Sequence, residues 1–191
     1  MKFGLKTGPA NNAADSHHHT SLTRPCNSEI IIFRQHLENA AKTKRDMRVL
    51  ILGCSPELRE IAANTKAKTT VIANDLEVIE RTTKMMRKRN KNEEWLEGDI
   101  MNLPLKKASF DVIFGDHVLS NVSPYNKESF YERMKEVLKS DGFIVIRSVV
   151  FKKTTKPFEN KILKYFQIVD KKFGKEGLFS EYFPIYLMRP K

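Results

Sequence analysis

A short aliphatic run, Val49-Leu50-Ile51-Leu52, stops at Gly53, and a segment with Leu58, Ile61 and Ala62 at helical spacing follows from Glu57 to about Ala63. Strand, glycine turn and helix form the unit from which an open α/β sheet builds a ligand crevice, beyond the carboxyl ends of its strands. Glycine lets the backbone turn sharply and lets a ligand come close to it. The free N–H groups that open the next helix favour a ligand's negative end.

The segments that follow keep the alternation expected of such a sheet. Thr69-Thr70-Val71-Ile72-Ala73 reads as a second buried strand, ending in Asn74-Asp75-Leu76-Glu77. Asp75 follows Gly53 at about 20 residues, the interval of an acid that accepts hydrogen bonds from a ribose. A carboxylate suits that role because it can accept from both vicinal hydroxyls. A basic helix is expected from Val78 to about Lys91, with Ile79, Thr82, Thr83 and Met86 inward. Trp95 to Ile100 reads as a third strand and its exit, and Phe110 to Phe114 as a fourth, leading into Gly115-Asp116-His117.

A helix from about Lys127 to Leu138, ended by Ser140-Asp141-Gly142, precedes a fifth strand from Phe143 to Val150. Pro157 opens a helix to about Tyr165. Phe166 to Asp170 and Tyr182 to Met188 then read as antiparallel neighbours, with Gly174 and Gly177 turning the chain between them. Upstream, Asn27 or Ser28 can cap a helix that presents Ile30, Ile31, Phe33, Leu37 and Ala40 on one face. The expected organisation is a disordered leader over 1–27 and one domain over 28–191, with its N-terminal helix within 28–43.

Composition narrows the classes. No apolar run approaches the roughly 18 residues of a membrane span, and no apolar stretch follows the basic start, so a soluble cytoplasmic protein is expected. Cys26 and Cys54 suggest neither a disulfide framework nor a metal site, and His17-His18-His19 has no partners to close one. The formal charge of +11 marks either a nucleic-acid partner or a lysine-rich composition without a role, and the second reading is preferred.

Four stretches in order resemble the class I S-adenosylmethionine-dependent methyltransferases, of the broad small-molecule type. They are Val49 to Cys54; Asp75; Gly98-Asp99-Ile100 with Leu103-Pro104-Leu105 and Ser109 to Ile113; and Lys135 to Phe143. The resemblance implies a Rossmann-like α/β open sheet, mostly parallel with an antiparallel C-terminal strand, and helices on both faces. It also implies S-adenosyl-L-methionine as cofactor and an unidentified methyl acceptor.

Carried over by position, Gly53, Cys54 and Ser55 would cradle the methionine portion, and Asp75 with Leu76 would hold the ribose. Asp99 would accept from the adenine amino group, and Ile100 would flank the ring. Gly115 and Asp116 would lie near the cofactor's amino group and sulfonium. Asp116 and His117 are the candidates for general base, and Asn121 could orient a polar acceptor. The leader and the Ser28 to Ala41 helix are the expected lid.

Two features leave other readings open. Ser55 and Glu57 stand where the family shows glycines. Glu57 puts a bulky acid near the cofactor's carboxylate, unless it turns away onto the helix N-terminus. A non-catalytic binding protein is therefore one alternative. An RNA methyltransferase is the other, using Arg81, Lys84, Arg87, Lys88, Arg89 and the lysines from Lys152 to Lys175 on phosphates.

Overall fold

The computed structural model describes residues 24–150, 154–174 and 182–191. Most of the expected leader, and Gly177, lie outside the described residues. The elements in chain order begin with α1 (Asn27–Ala41), β1 (Arg48–Leu52), α2 (Pro56–Thr65), β2 (Lys68–Ala73), α3 (Leu76–Lys84) and β3 (Glu93–Glu97). They continue with β4 (Phe110–Asp116), α4 (Val118–Asn121), a 3-10 turn (Pro124–Asn126), α5 (Lys127–Val137) and β5 (Leu138–Arg147). The last are α6 (Thr155–Ile162), β6 (Phe166–Lys172) and β7 (Ile185–Pro190).

The strands form one seven-stranded sheet in the order β3-β2-β1-β4-β5-β7-β6. Every pairing from β3 to β5 is parallel, and β7 runs antiparallel to both its neighbours. Period-two alternation divides the apolar residues between two faces. Val49, Ile51, Val71, Val112 and Val145 pack beneath Phe33 and Leu37 of α1, Leu58 and Ile61 of α2, and Ile79 of α3. Leu50, Leu52, Ile113, Ile144 and Ile146 pack beneath Phe130, Met134 and Val137 of α5 and Ile162 of α6. The Rossmann-like α/β sandwich is therefore as the residues and the resemblance implied. Among the described residues, no helix is long and apolar enough to cross a membrane.

Three local differences have physical reasons. Helix α3 stops at Lys84 rather than near Lys91. Arg87-Lys88-Arg89-Asn90-Lys91 offers no apolar side chain to bury, and the Arg87 N–H donates to Glu60 of α2 instead of continuing the helix. Ser140-Asp141-Gly142 does not end a helix; β5 already begins at Leu138, and the segment is a bulge. There the pairing jumps from Phe110–Leu138 to Val112–Phe143. A side chain at Gly142 would come within 2.7 Å of Leu138 Cδ1 and 2.9 Å of the Asp111 carbonyl oxygen.

The third concerns α1, expected with the leader as the lid and found packed on the sheet through its apolar face. It starts one residue before Ser28, with Cys26 in the capping position, and the Cys26 N–H donates to Glu29 Oε2 at 2.8 Å. Phe33 and Leu37 are fully buried, and Phe33 meets Phe114 of β4 edge-on at 5.3 Å.

Candidate active site

The neighbours of β1 are β2 on one side and β4 on the other, so the strand order reverses there. In open α/β sheets the ligand crevice lies at that switch point, outside the carboxyl ends of the strands. A cleft of about 500 Å³ occupies this position, within the ordinary range of small-molecule sites. The turn after β1 opens it. Gly53 holds φ at +88°, a left-handed conformation that side chains disfavour, and its N–H donates to the Ile72 carbonyl at 2.8 Å. A Cβ built on Gly53 would meet nothing within 4 Å, so the turn leaves open space for a ligand beside the backbone.

Gly53, Cys54, Asp75, Asp99, Ile100 and Asp116, all anticipated from the sequence, line the cleft. Asp75 is the N-cap of α3, where Oδ1 accepts from the Glu77 N–H at 2.7 Å. Asp99 stands in the turn after β3, and its Oδ1 accepts from the Met101 N–H at 2.9 Å. Each of these exposed carboxylates thus spends one oxygen on its own turn, which fixes its direction. The second oxygen of each makes no hydrogen bond among the described residues. Ile100, Met101, Val78 and Val118 add apolar wall suited to the face of a flat ring. Asn121 also lines the cleft.

Ser55, Leu76, Gly115 and His117 are not among the lining residues. The Ser55 hydroxyl donates to Glu57 Oε2 at 3.0 Å, and Leu76 packs into the core under α3. Gly115 acts through what it lacks: a Cβ there would lie 2.7 Å from Cγ1 of Val118, which does line the cleft. Glu57 is turned away from the cleft. Its carboxylate takes the Arg24 guanidinium as well as the Ser55 hydroxyl, in the groove between α1 and α2.

The two candidate bases stand differently. Asp116, at the end of β4, is nearly buried, and Arg147 Nη1 donates to its Oδ1 at 2.9 Å. Burial pushes the Asp116 carboxyl up to about 6, against the pull of Arg147, and Glu29 and Glu57 push the same way as burial. It remains mostly ionised at neutral pH and can take up a proton there. His117 Nε2 lies 2.6 Å from Arg147 Nη1. A guanidinium has no acceptor, so Nε2 must accept, and the ring proton resides on Nδ1. Burial and the Arg147 charge push the imidazole down to about 4, so it is neutral at physiological pH with Nε2 committed. Its ring rests edge-on against Phe183 at 5.3 Å.

Arg147 gave no functional signal in sequence reasoning beyond its place in β5. It is fully buried, and its guanidinium lies 4.6 Å from the Phe183 ring centroid. The clue available was a cation inside Phe143-Ile144-Val145-Ile146-Arg147-Ser148-Val149-Val150, because a charge in a buried strand requires a partner.

Similarity to known proteins agrees with this geometry. The chain is similar to the N-methyltransferase NodS from Bradyrhizobium japonicum WM9 in complex with S-adenosyl-L-homocysteine. That likeness has a TM-score of 0.67 and 17% identity, and covers 87% of this chain and 89% of that one. It is similar to a TehB-like SAM-dependent methyltransferase from Corynebacterium glutamicum, with a TM-score of 0.62, 16% identity, and 83% and 88% of the two chains covered. It is also similar to the [4+2]-cyclase SpnF, with a TM-score of 0.66, 13% identity, and 83% and 80% covered. At these identities the likeness is one of fold. No curated protein matches the chain in sequence. The sequence pattern of a methyltransferase domain matches residues 50–146, from β1 to the end of β5. Over half its length, and with its cleft at the switch point, the chain belongs to the methyltransferase domain family of class I S-adenosylmethionine-dependent methyltransferases.

Proposed function

We propose that this S-adenosylmethionine-dependent methyltransferase acts on a small, uncharged or cationic acceptor with a transferable N–H or O–H proton, and that Asp116 receives that proton. The carrying observation is the chemistry of the cleft lining. Three carboxylates, Asp75, Asp99 and Asp116, face it, and no lysine or arginine lines it among the described residues. A polymer of phosphates needs cations at its binding surface. A cofactor with a sulfonium and an ammonium group needs the opposite.

The residues present fit that cofactor. Asp75, with one oxygen uncommitted, is suited to the ribose hydroxyls, and Asp99 to the adenine amino group beside Ile100. The open space at Gly53 admits the methionine portion without a clash. When bound, S-adenosylmethionine supplies an electrophilic methyl group. The chain contributes a fixed position for the acceptor, walls of Val118 and Val122 that exclude water, and a proton-accepting carboxylate at Asp116. Asn121, Ser123 and Asn126 supply neutral hydrogen-bonding groups along the same wall. His117 serves this reading as a neighbour of Asp116 rather than as the base, since Nε2 is committed to Arg147. Both cysteines are free, which fits a reducing compartment, and we place the reaction in the cytoplasm.

The test is calorimetric titration with S-adenosylmethionine and S-adenosylhomocysteine, with a nicotinamide dinucleotide as control. Radiolabelled methyl transfer to pooled small amines and alcohols and to bulk RNA would follow. Micromolar binding with incorporation into a small-molecule pool is expected. Absence of heat with both ligands would refute the cofactor assignment. Incorporation into RNA alone would refute the acceptor class.

A further inference from the structure

We propose that Arg147 is the positioning residue of this site: divided between Glu29 of α1 and Asp116 of β4, it holds the Asp116 carboxylate in place and ties it to the seating of the N-terminal helix. The catalytic meaning of this arrangement rests on the function proposed above; the arrangement itself does not.

Arg147 Nε forms an ion pair with Glu29 Oε1 at 3.0 Å, while Nη1 serves Asp116 Oδ1 at 2.9 Å and His117 Nε2 at 2.6 Å. The guanidinium is shut in by the Phe183 ring. Both carboxylates are nearly buried, with side-chain exposures of 3% for Glu29 and 7% for Asp116. Glu29 is anchored at its own end, since Oε2 accepts from the Cys26 N–H at 2.8 Å. Gly174 closes the back of this corner. A Cβ there would stand 2.7 Å from Glu29 Cγ and 3.2 Å from Cys26 Sγ, so only glycine lets the segment after β6 reach the helix start.

Among the described residues one arginine therefore serves two buried carboxylates, and their competition for it has consequences for the one that faces the cleft. Among the described residues, the charged groups acting on Asp116 are Arg147 from β5, Glu29 from α1 and Glu57 from α2, with Glu57 itself paired to Arg24. His117, a further titratable neighbour, is neutral. Glu29 competes for Arg147 and repels Asp116, so it favours the proton-holding form of Asp116; Arg147 opposes it. Seating α1 brings Glu29 into this contest, and unseating it would remove that competitor of Asp116 for Arg147. The N-terminal helix thereby sets the protonation of a cleft carboxylate without lining the cleft.

Opposite substitutions should move Asp116 in opposite directions, a result that simple loss of packing would not give. The measurement is a carbon-13 NMR titration of the aspartate side-chain carboxyls in the full chain without cofactor, with Asp116 assigned by Asp116→Asn. Glu29→Gln should lower the Asp116 midpoint, and Arg147→Gln should raise it, each by about one pH unit. Glu29→Gln keeps the buried volume and the arginine, so it decides the matter even where Arg147→Gln does not fold. An Asp116 midpoint unmoved or raised in Glu29→Gln would overturn the proposal. Because no ligand is present, failure of the cofactor assignment cannot imitate that result. In a second arm, the pH dependence of S-adenosylhomocysteine affinity should shift with the NMR midpoint in Glu29→Gln. An affinity profile that stays in place while the NMR midpoint moves would overturn the link between α1 and the cleft.

Discussion

Arg59 offers the sharpest test of how this fold holds its cofactor face. Its side chain is 1% exposed and that of Glu93 is 6% exposed. Nη2 reaches Glu93 Oε1 at 2.6 Å, and Nε lies 3.1 and 3.2 Å from the two Glu93 oxygens. Nη1 donates to the Ile79 carbonyl at 3.1 Å and to Thr82 Oγ1 at 3.0 Å, and Nη2 to Thr83 Oγ1 at 2.6 Å. The group thus joins α2, α3 and β3, and the indole of Trp95 lies beside it at 5.6 Å while donating to Glu93 Oε1. Arg59→Ala would strand the Glu93 carboxylate with the Trp95 N–H and little else. Breaking one side of a buried pair costs about 3–5 kcal/mol.

For a domain of this length about 2–4 °C accompany each kcal/mol, so a fall in Tm on the order of 6–20 °C is expected. Arg59→Met with Glu93→Gln removes both charges and keeps an acceptor for Trp95, and it should recover most of the loss. Urea unfolding suits the measurement because Trp95 is the chain's one tryptophan, so its fluorescence reports this cluster directly. Far-UV circular dichroism on the same samples checks that the transition is two-state. A loss below about 1 kcal/mol in Arg59→Ala, or a double variant no better than the single one, would refute the reasoning. The consequence for function follows from position: α3 carries Asp75 as its N-cap, so loosening α3 should also weaken S-adenosylhomocysteine binding in the variants that still fold.

Other outcomes follow from the same geometry. Asp75→Ala should reduce S-adenosylmethionine affinity at least about tenfold by calorimetry, since a charge-assisted hydrogen bond contributes about 1.5–3 kcal/mol and the α3 cap is lost too; unchanged affinity would remove Asp75 from the site. Gly53→Val should fold with modest destabilisation yet bind the cofactor poorly, because its φ of +88° disfavours a side chain and the added methyls would occupy open cleft. Between about pH 4 and 6 the contributions of Asp116 and His117 to stability should nearly offset each other. Asp116, raised to about 6, is a stabilising group at low pH whose contribution is lost as pH rises from 3.8 to 6, while His117, lowered to about 4, gains over a similar span. Relative to the parent chain, Asp116→Asn should therefore make stability rise more with pH, and His117→Gln less, both read from urea midpoints. Identical slopes in the two variants would contradict the opposed shifts.

Much of this architecture was legible because it is local. Val49 to Leu52, Val71 to Ala73 and Val112 to Phe114 are runs of the apolar kind that buried parallel strands require, and Gly53 announces the turn. Asp75 and Asp99 sit in turns whose hydrogen bonds reach only two residues along, so position in sequence nearly fixes position in space. What was not legible depends on partners far along the chain. The role of Arg147 follows from Glu29 on another helix, and that of Arg59 from Glu93 on another strand. His117 reads as a base from its place after β4, and only the contact with Arg147 reveals that Nε2 is committed. The bulge over 139–142 imitated a helix stop because glycine serves both purposes.

The distribution of charge bears on what the protein acts upon. The chain carries +11 overall, and Arg81, Lys84, Arg87, Lys88 and Arg89 all stand exposed along and after α3. The lining of the cleft has the opposite sign, with Asp75, Asp99 and Asp116 and no cation among the described residues. Exposed charges are screened within about 8–10 Å at ordinary ionic strength, so the outer lysines and arginines do not determine the potential inside a cleft lined by its own carboxylates. Polyanions drawn to the basic surface would therefore meet repulsion at the mouth, whereas a cationic cofactor and a neutral or cationic acceptor would not. Glu57 adds to this separation. Standing where glycine is expected, it is turned onto Arg24 and Ser55, so the departure from the family pattern is accommodated by the segment before α1 while the ligand's side of the turn stays open.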